Sequence, residues 1–376
     1  MSNTYKAVFA RGGTSKALIF HRQDLPPDCA CWDAIFLAAM GSPDAYGRQL
    51  DGMGGGISSL SKVCVVGPPT RSDADVDYTF AQVQVKEARV DYSGNCGNMS
   101  SAIGPFAVDE GLVGAASGEA TVRIHNTNTG KIIHSTFPVA HGRSVERGEL
   151  VIPGVSGSGA PVRLDFLEPG GASTGRLLPT GRSADRLEVP GIGAVPVSLV
   201  DAANACVFLD AETLELAGSE LPDELDARPA LLERIALIRA HASVAMGIAS
   251  SPQEAHGKRM IPLVAIVCAP RDATTLDGSV LPAEAVDLTV RMIASGQPHR
   301  ALPLTGSLCV AVACGIDDTL ANRFVRKGRA GSLRLGMPSG VIQVDAEVVR
   351  DGAGWHAVRG SFYRTTRRLF TGTVHT

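Results

Sequence analysis

Cys96 stands in the setting of this sequence that best suits proton-transfer chemistry. It lies in Asn95-Cys96-Gly97-Asn98, where an alternating, strand-like stretch gives way to a run of small residues typical of a buried helix. The free N–H groups and the positive end of a helix dipole favour a thiolate at a helix start. We therefore predict that Cys96 is catalytic. The alternative is a small buried hydrophobe, and the Gly, Asn and Ser residues around Cys96 argue against an apolar core.

Lys62 is the second catalytic candidate and follows a glycine-rich loop. Residues 54–61 (GGGISSLS) lead directly through Lys62 into the apolar stretch 63–66, which predicts a buried strand. The N–H groups and hydroxyls of such a loop can hold a carboxylate. A lysine at the mouth of the strand can then exchange a proton or pair with an anion. The alternative is an ordinary solvated lysine.

The segment 12–16 (GGTSK) lies between two strand-like stretches. It is not a P-loop, since that motif requires GxxxxGK[ST] followed by a helix. We predict a hairpin turn that offers donors to an anion, with a plain turn as the alternative. Arg11 and Lys16 are candidate charge partners unless they are simply solvated. With the loop and both helix starts, the predicted substrate-binding residues are Ser15, Gly55, Gly56, Ser58, Ser59, Asn95, Gly97, Asn98, Thr305, Gly306 and Ser307.

Hydrophobic periodicity predicts the elements that position these residues. In the first half we expect a hairpin over 5–20, a helix over 28–40, strands at 63–66 and within 76–92, and a helix after Cys96. In the second half, residues 229–246 predict an amphipathic helix. Its buried side would carry Leu232, Ile235, Leu237 and Ile238, and its exposed side Glu233, Arg234 and Arg239.

The 376 residues exceed one ordinary core and suit two domains. The Gly/Ser/Pro-rich stretch 156–186 places the boundary near its end, which gives domains 1–185 and 186–376. Residues 301–313 repeat the pattern of a turn followed by a small-residue helix seen at 95–107. This weak repeat predicts two similar domains whose helix N-termini face one cleft, a good site for a di- or tricarboxylate.

Composition excludes several classes of function. A net charge of −3 gives no basic footprint for nucleic acid or an anionic membrane. No apolar run is long enough to span a bilayer and no signal-peptide pattern is present, so the expected location is the cytoplasm. The eight cysteines show no CxxC spacing and the histidines no HxxxH spacing. We therefore expect no metal ligands.

Several motifs together resemble the PrpF family, which is similar to diaminopimelate epimerase and proline racemase. They spread in the expected order over nearly the whole chain: Arg11-Gly-Gly-Thr-Ser-Lys16, Gly41-Ser-Pro43, Gln49-Leu-Asp-Gly-Met-Gly-Gly55, Ser61-Lys62, Asp75-Val-Asp-Tyr78, Asn95-Cys-Gly-Asn98, Gly104-Pro-Phe-Ala107 and Thr305-Gly-Ser307.

The resemblance implies an α+β fold of two similar domains, each with mainly antiparallel strands around a central helix and with the active site in the interdomain cleft. It also implies a cofactor-independent isomerase that acts on an unsaturated di- or tricarboxylate such as 3-methylitaconate, aconitate, 2-methylaconitate or 4-oxalomesaconate. The reaction would move a C=C bond by a 1,3-proton shift, or change it between cis and trans through the same dienolate. Lys62 and Cys96 match the family's catalytic pair. A homo-oligomer is compatible with it, and no nucleic-acid or membrane partner is implied.

Two other functions stay open at this stage. Racemases and epimerases of this fold carry a second cysteine, and ungapped alignment on Thr305-Gly306-Ser307 puts Pro303 at that position. A racemase is therefore the weaker interpretation, and Cys309 and Cys314 are predicted to pack in the core. A non-catalytic accessory protein for an iron–sulfur dehydratase would need neither Lys62 nor Cys96.

Overall fold

The structure is a computed structural model that describes residues 3–92, 95–258, 261–294, 296–328, 331–352 and 354–376. Its contacts divide the chain into two compact units. Unit 1 comprises Met1–Leu167 with Tyr363–Thr376, and unit 2 comprises Glu168–Phe362. The first change of unit, between Leu167 and Glu168, comes earlier in the chain than the domain boundary predicted at 185/186. That boundary stays a prediction.

Strands dominate both units. In chain order they are β1 (Thr4–Gly12), β2 (Ser15–His21), β3 (Lys62–Gly67), β4 (Val76–Val83), β5 (Val90–Asp91), β6 (Gly118–Asn126), β7 (Lys131–Ala140), β8 (Arg143–Ser144), β9 (Val162–Leu167), β10 (Asp185–Val189), β11 (Gly193–Ala202), β12 (Asn204–Asp210), β13 (Leu263–Cys268), β14 (Ala273–Thr274), β15 (Val280–Leu281), β16 (Leu288–Ala294), β17 (Gln297–Pro298), β18 (Leu333–Met337), β19 (Gly340–Asp351), β20 (Gly354–Arg364) and β21 (Thr366–His375). The α-helices are α1 (Trp32–Met40), α2 (Gly97–Asp109), α3 (Pro222–Asp226), α4 (Pro229–Ala245), α5 (Pro252–Gly257), α6 (Leu304–Cys314) and α7 (Leu320–Phe324).

Unit 1 wraps mainly antiparallel strands around α2. The hairpin β1–β2 continues into β3 by a parallel pairing, and β4 returns antiparallel to β3. Strand β6 runs parallel to β4, β7 antiparallel to β6, and β21 closes along β1. Residues 99–108 of α2 are all buried, so this helix is the centre of the unit.

Unit 2 repeats this connectivity. The hairpin β11–β12 is followed by parallel β13, antiparallel β16, parallel β18 and antiparallel β19. Helix α6 occupies the position of α2 in the order, and its residues 306–314 are buried. The α+β fold class and the internal repeat predicted from the sequence are confirmed.

The side chains of β3 alternate between the apolar core on one face and the candidate catalytic residue on the other. Val63 and Val65 pack in the apolar cluster under α1. Because side chains alternate across a strand, Lys62 and Cys64 share the opposite face. The start of β3 therefore presents a lysine beside a buried thiol.

The predicted faces of α4 are partly wrong. Leu237 is 41% exposed, whereas Arg239 is only 7% exposed. The guanidinium of Arg239 donates to the backbone carbonyls of Ala255, Lys258 and Ile261 at 2.7–3.2 Å. These bonds stabilise a buried cation on the side that periodicity assigns to solvent. Over the described residues, no helix is both long and apolar enough to cross a membrane.

Candidate active site

Cys96 is the residue immediately before α2, as predicted. Its backbone is extended (φ −109°, ψ 99°), and its carbonyl accepts the first helical hydrogen bond, from the N–H of Ser100 at 2.9 Å. The side chain is half-buried. In the described part of the chain, no protein group accepts from the N–H groups of Gly97, Asn98 or Met99. Three donors thus remain beside the thiol for an anionic ligand.

A buried polar chain lies behind Cys96. The hydroxyl of Ser100 donates to Asn95 Oδ1 and to the Cys96 carbonyl, both at 3.1 Å. Burial raises the pKa of Tyr78 well above its ordinary value, as do the neighbouring thiols Cys64 and Cys96, while a hydrogen bond with Ser100 acts in the opposite direction. The Cys64 thiol lies 3.8 Å from the Tyr78 hydroxyl.

The electrostatics of Cys64 connect the two catalytic candidates. Burial raises the pKa of this thiol, the charge of Cys96 raises it further, and the charge of Lys62 lowers it. Both charges therefore act on one buried sulfur. The structure brings Lys62 and Cys96 to the same region of unit 1.

Lys62 is the first residue of β3 and is only 8% exposed. Its ammonium nitrogen Nζ donates to Gln82 Oε1 at 2.5 Å and lies 4.9 Å from the centre of the Phe80 ring. Gln82 is its direct partner across the β3–β4 ladder. Gln82 was not predicted as a functional residue, because Gln82 and Gln84 occupy alternating positions of the same polar pattern.

The glycine-rich loop is held by another glutamine that the prediction did not select. Gln49 is buried, and its Oε1 accepts from the N–H of Gly56 at 2.9 Å and from the hydroxyl of Ser61 at 2.6 Å. Its Nε2 donates to Ser42 Oγ at 2.7 Å. Gly56 needs its glycine, since it has φ +75° and an added Cβ would lie 2.4 Å from the Gly47 carbonyl oxygen.

The other predicted binding residues of the glycine-rich loop lie close to Gly56 in the chain. Gly55 and Ser58 are exposed, and Ser59 is half-buried in the turn Ser58–Leu60. This turn packs beside β2, where Ser15 is buried at the first position. The structure thus gathers Ser15 and the loop near the start of β3. Their roles in binding stay predictions.

The hairpin turn 13–14 packs on the start of α2. An added Cβ at Gly13 would lie 2.2 Å from Asn98 Oδ1. This oxygen accepts from the N–H of Thr14 at 3.4 Å and from Arg364 Nε at 3.1 Å, and the Asn98 amide donates to Thr14 Oγ1 at 3.1 Å. The side chain of Asn98 therefore fixes the turn against the helix, and its backbone N–H is the part that remains for a ligand.

Two cations, Arg364 and Arg11, contact this turn, and Lys16 follows it in the chain. Arg364 was not predicted; burial lowers its pKa to about 10. Arg11 donates to the carbonyls of Gly13 and Thr365 at 2.9 and 2.8 Å, which makes it an anchor of the hairpin. The Lys16 ammonium lies 5.6 Å from the centre of the Phe9 ring.

Unit 2 carries the other predicted binding residues at the start of α6. Pro303 precedes this helix as Cys96 precedes α2, so the equivalent position has no thiol. Thr305 is half-buried and accepts from Asn204 Nδ2 at 3.4 Å. Gly306 and Ser307 are buried, and the Ser307 hydroxyl donates to the Leu304 carbonyl at 2.8 Å.

The two cysteines of α6 lie where the sequence predicts them. Cys309 and Cys314 are buried within α6, as expected for core packing. Throughout the described ranges, no group of three or more His, Cys, Asp or Glu side chains is arranged to hold a metal ion.

Comparison with known proteins assigns the chain to a family. The family model described as "PrpF protein" matches residues 3–376. The 2-methyl-aconitate isomerase of Shewanella oneidensis strain MR-1 is 37% identical over 98% of this chain and 96% of that protein. The 3-methylitaconate isomerase of Eubacterium barkeri is 39% identical over the same shares. A crystal structure of methylitaconate-delta-isomerase superposes with a TM-score of 0.93 at 38% identity, covering 100% of this chain and 96% of that one. The chain belongs to the PrpF family.

Proposed function

We propose that this chain is a cofactor-independent isomerase that moves a C=C bond within a small unsaturated di- or tricarboxylate. The proposal is supported by the position of Lys62 at the start of β3, on the same face as the buried Cys64, and of Cys96 at the start of α2, a helix that contacts β3. The full-length similarity to proteins named isomerases supports the same class of reaction.

The chemistry needs two proton-transfer groups and fixed donors. One group removes a proton from the carbon next to the double bond, and the resulting dienolate spreads its charge onto a carboxylate oxygen. The second group returns a proton two carbons away, so the double bond shifts and no atom is gained or lost. Lys62 and Cys96 are the proposed pair, and either assignment of the two steps is consistent with their positions.

The donors for the substrate carboxylates are proposed from unit 1. The N–H groups of Gly97, Asn98 and Met99 sit at the positive end of α2, beside the Cys96 thiol. The loop containing Gly55, Gly56, Ser58 and Ser59 adds N–H groups and hydroxyls. The remaining proposed binding residues are Ser15, Asn95, Thr305, Gly306 and Ser307.

A racemase is the less favoured function. The two-base racemase reaction needs a second acid–base group opposite the first, and Pro303 cannot provide a thiol where the second helix begins. The proposal covers these polycarboxylates as a class, since the relatives named for methylaconitate and for methylitaconate are 37% and 39% identical to this chain.

Proton NMR in D₂O tests the proposal directly. The protein is incubated with 3-methylitaconate, trans-aconitate, 2-methylaconitate and 4-oxalomesaconate in parallel. We expect one of them to isomerise with deuterium incorporated at the allylic carbon, and we expect Lys62→Ala and Cys96→Ser to abolish this. Cys31→Ser, which alters an exposed thiol, is the matched control.

Three outcomes would contradict the proposal. Deuterium entering Cα of proline or diaminopimelate would instead indicate a racemase or epimerase. Carboxylate binding without turnover would indicate an accessory protein. Isomerisation that survives in Cys96→Ser would remove the thiol from the mechanism.

A further inference from the structure

We propose that Gln82 is the positioning residue that holds Lys62 for proton transfer and leaves its proton exchangeable. This inference rests on the proposed function, because it assigns Lys62 a proton-transfer role. Its physical basis is a hydrogen-bonded chain that runs from the glycine-rich loop through the Gln82 amide to the Lys62 ammonium.

The orientation of the Gln82 amide is determined by its surroundings. Its Nε2 donates to the backbone carbonyls of Ser58, Ser61 and Val83 at 3.0, 2.9 and 3.3 Å. A flipped amide would turn its oxygen toward these three oxygens and its N–H groups toward an ammonium, which cannot accept a hydrogen bond. Oε1 must therefore face Lys62.

The short contact fixes the position of Lys62 Nζ. The distance from Nζ to Oε1 is 2.5 Å, and the two residues are direct neighbours across β3 and β4. A lysine has a flexible four-carbon stem. The bond to an immobilised amide removes that freedom, and a displacement of 1 Å at a reacting group can cost roughly 10²-fold in rate.

The partner of Lys62 is uncharged. In the described ranges, no Asp or Glu side chain forms an ion pair with its ammonium, and its other close neighbour is the Phe80 ring at 4.9 Å. A carboxylate would strongly favour the ammonium form. An amide oxygen orients the ammonium with only a partial charge and places no full counter-charge beside Nζ.

Gln82 also joins the lysine to a predicted substrate-binding element. Two of the carbonyls that hold its amide belong to Ser58, the first residue of the turn after the glycines, and to Ser61, which follows that turn. A substrate carboxylate bound by this loop would thus lie on an element that is hydrogen-bonded to Gln82, the same residue that orients Lys62.

Two substitutions of Gln82 test separately the position of Lys62 and the charge of its hydrogen-bond acceptor. Gln82→Met keeps the length and removes both the acceptor for Lys62 and the donor to the Ser58 and Ser61 carbonyls, so kcat should fall by about 10- to 100-fold and by a larger factor than any rise in KM. Gln82→Glu supplies a charged acceptor, so the pH–rate profile should move upward by about 1–3 pH units. Gln84→Glu is the matched control, since it adds the same charge two residues away and the described structure gives its side chain no hydrogen bond.

A measurement that needs no substrate accompanies the kinetics. The protein is labelled with ¹³C-lysine, the Cε signal of Lys62 is assigned by its loss in Lys62→Met, and its chemical shift is followed against pH. In Gln82→Glu the pH at which Lys62 loses its proton should rise, and in Gln84→Glu it should not. Urea unfolding of each variant verifies that it is folded.

The results divide clearly. A Gln82→Met protein with kcat within twofold of wild type would overturn the inference. So would a Gln82→Glu protein whose lysine signal and pH–rate profile both stay unmoved. If the wild-type protein turned over none of the substrates, the proposed function would fail, and the lysine titration would still decide whether Gln82 controls the Lys62 proton.

Discussion

Replacing Gln49 with methionine should loosen the glycine-rich loop at a predictable cost. The side chain makes three hydrogen bonds, to the N–H of Gly56 and to the hydroxyls of Ser42 and Ser61. Each such bond contributes about 1 kcal/mol net. Methionine has nearly the same volume and shape, so the packing change adds little. The free energy of unfolding should therefore fall by about 3 kcal/mol, which is roughly a 150-fold change in the folding equilibrium.

The three groups that bind Gln49 should not be affected equally when their hydrogen bond to its side chain is removed. The Ser61 hydroxyl also donates to the Ile57 carbonyl at 2.8 Å, so it keeps a partner in the variant. The N–H of Gly56 loses the acceptor that Gln49 provides, and its hydrogen should exchange faster with solvent. If the loop holds a substrate carboxylate, KM should rise as well.

Urea unfolding and amide hydrogen exchange measure these effects. Gln84→Met is the matched control, because the side chain of Gln84 makes no hydrogen bond within the described structure. A Gln49→Met protein that unfolds within about 0.5 kcal/mol of wild type, with unchanged exchange at Gly56, would refute the reasoning.

Three further predictions concern other parts of the fold. Gly104→Ala should destabilise by about 1–3 kcal/mol, because the new Cβ would lie 2.5–2.8 Å from side chains of β7; Gly114→Ala, which meets nothing within 4 Å, should be nearly neutral in urea unfolding. Burial raises the pKa of Glu110, but hydrogen bonds to Arg368 and to a histidine outweigh it and the net pKa is lowered. Its stabilisation is thus present above the ordinary carboxyl pKa and is lost as pH falls through the lower folded-state value, so Glu110→Gln should weaken the protein at neutral pH and progressively less as the pH falls through that value. Arg239→Met should cost about 3 kcal/mol or more in the same assay, since hydrogen bonds from a charged group contribute about 1.5–3 kcal/mol each.

Much of the fold could be predicted because local signals agree with the final structure. The small residues after Cys96 form a helix that is buried on every side, and their composition already excluded an amphipathic surface helix. The apolar run after Lys62 forms a buried strand for the same reason. These two signals were enough to place both catalytic candidates at the ends of core elements.

The residues of the site that could not be predicted from the sequence depend on pairing between distant segments. Gln82 and Gln84 look alike in the sequence, and only the register of β4 against β3 selects Gln82 as the partner of Lys62. Arg364 lies 266 positions from Asn98, whose side chain it contacts. No local pattern encodes such a contact, because it requires the order of strands in space.

The predicted buried and exposed faces of α4 are partly wrong for a related reason. A 3.6-residue period assigns Arg239 to solvent, but the carbonyls that bind it come from the segment after the helix. Burial of a long cation is favourable where backbone acceptors converge on it. Periodicity carries no information on where unpaired carbonyls lie.

The closing of unit 1 by β21 has a consequence for the synthesis of the chain. This strand pairs along the length of β1, from Thr4 opposite His375 to Gly12 opposite Thr366. A ribosome releases β1 before β21, with all of unit 2 in between. Unit 2 is continuous and can assemble while the chain is still being made. The edge of β1 stays open until β21 has been synthesised, so unit 1 must keep an unpaired strand from associating with other nascent chains during that interval.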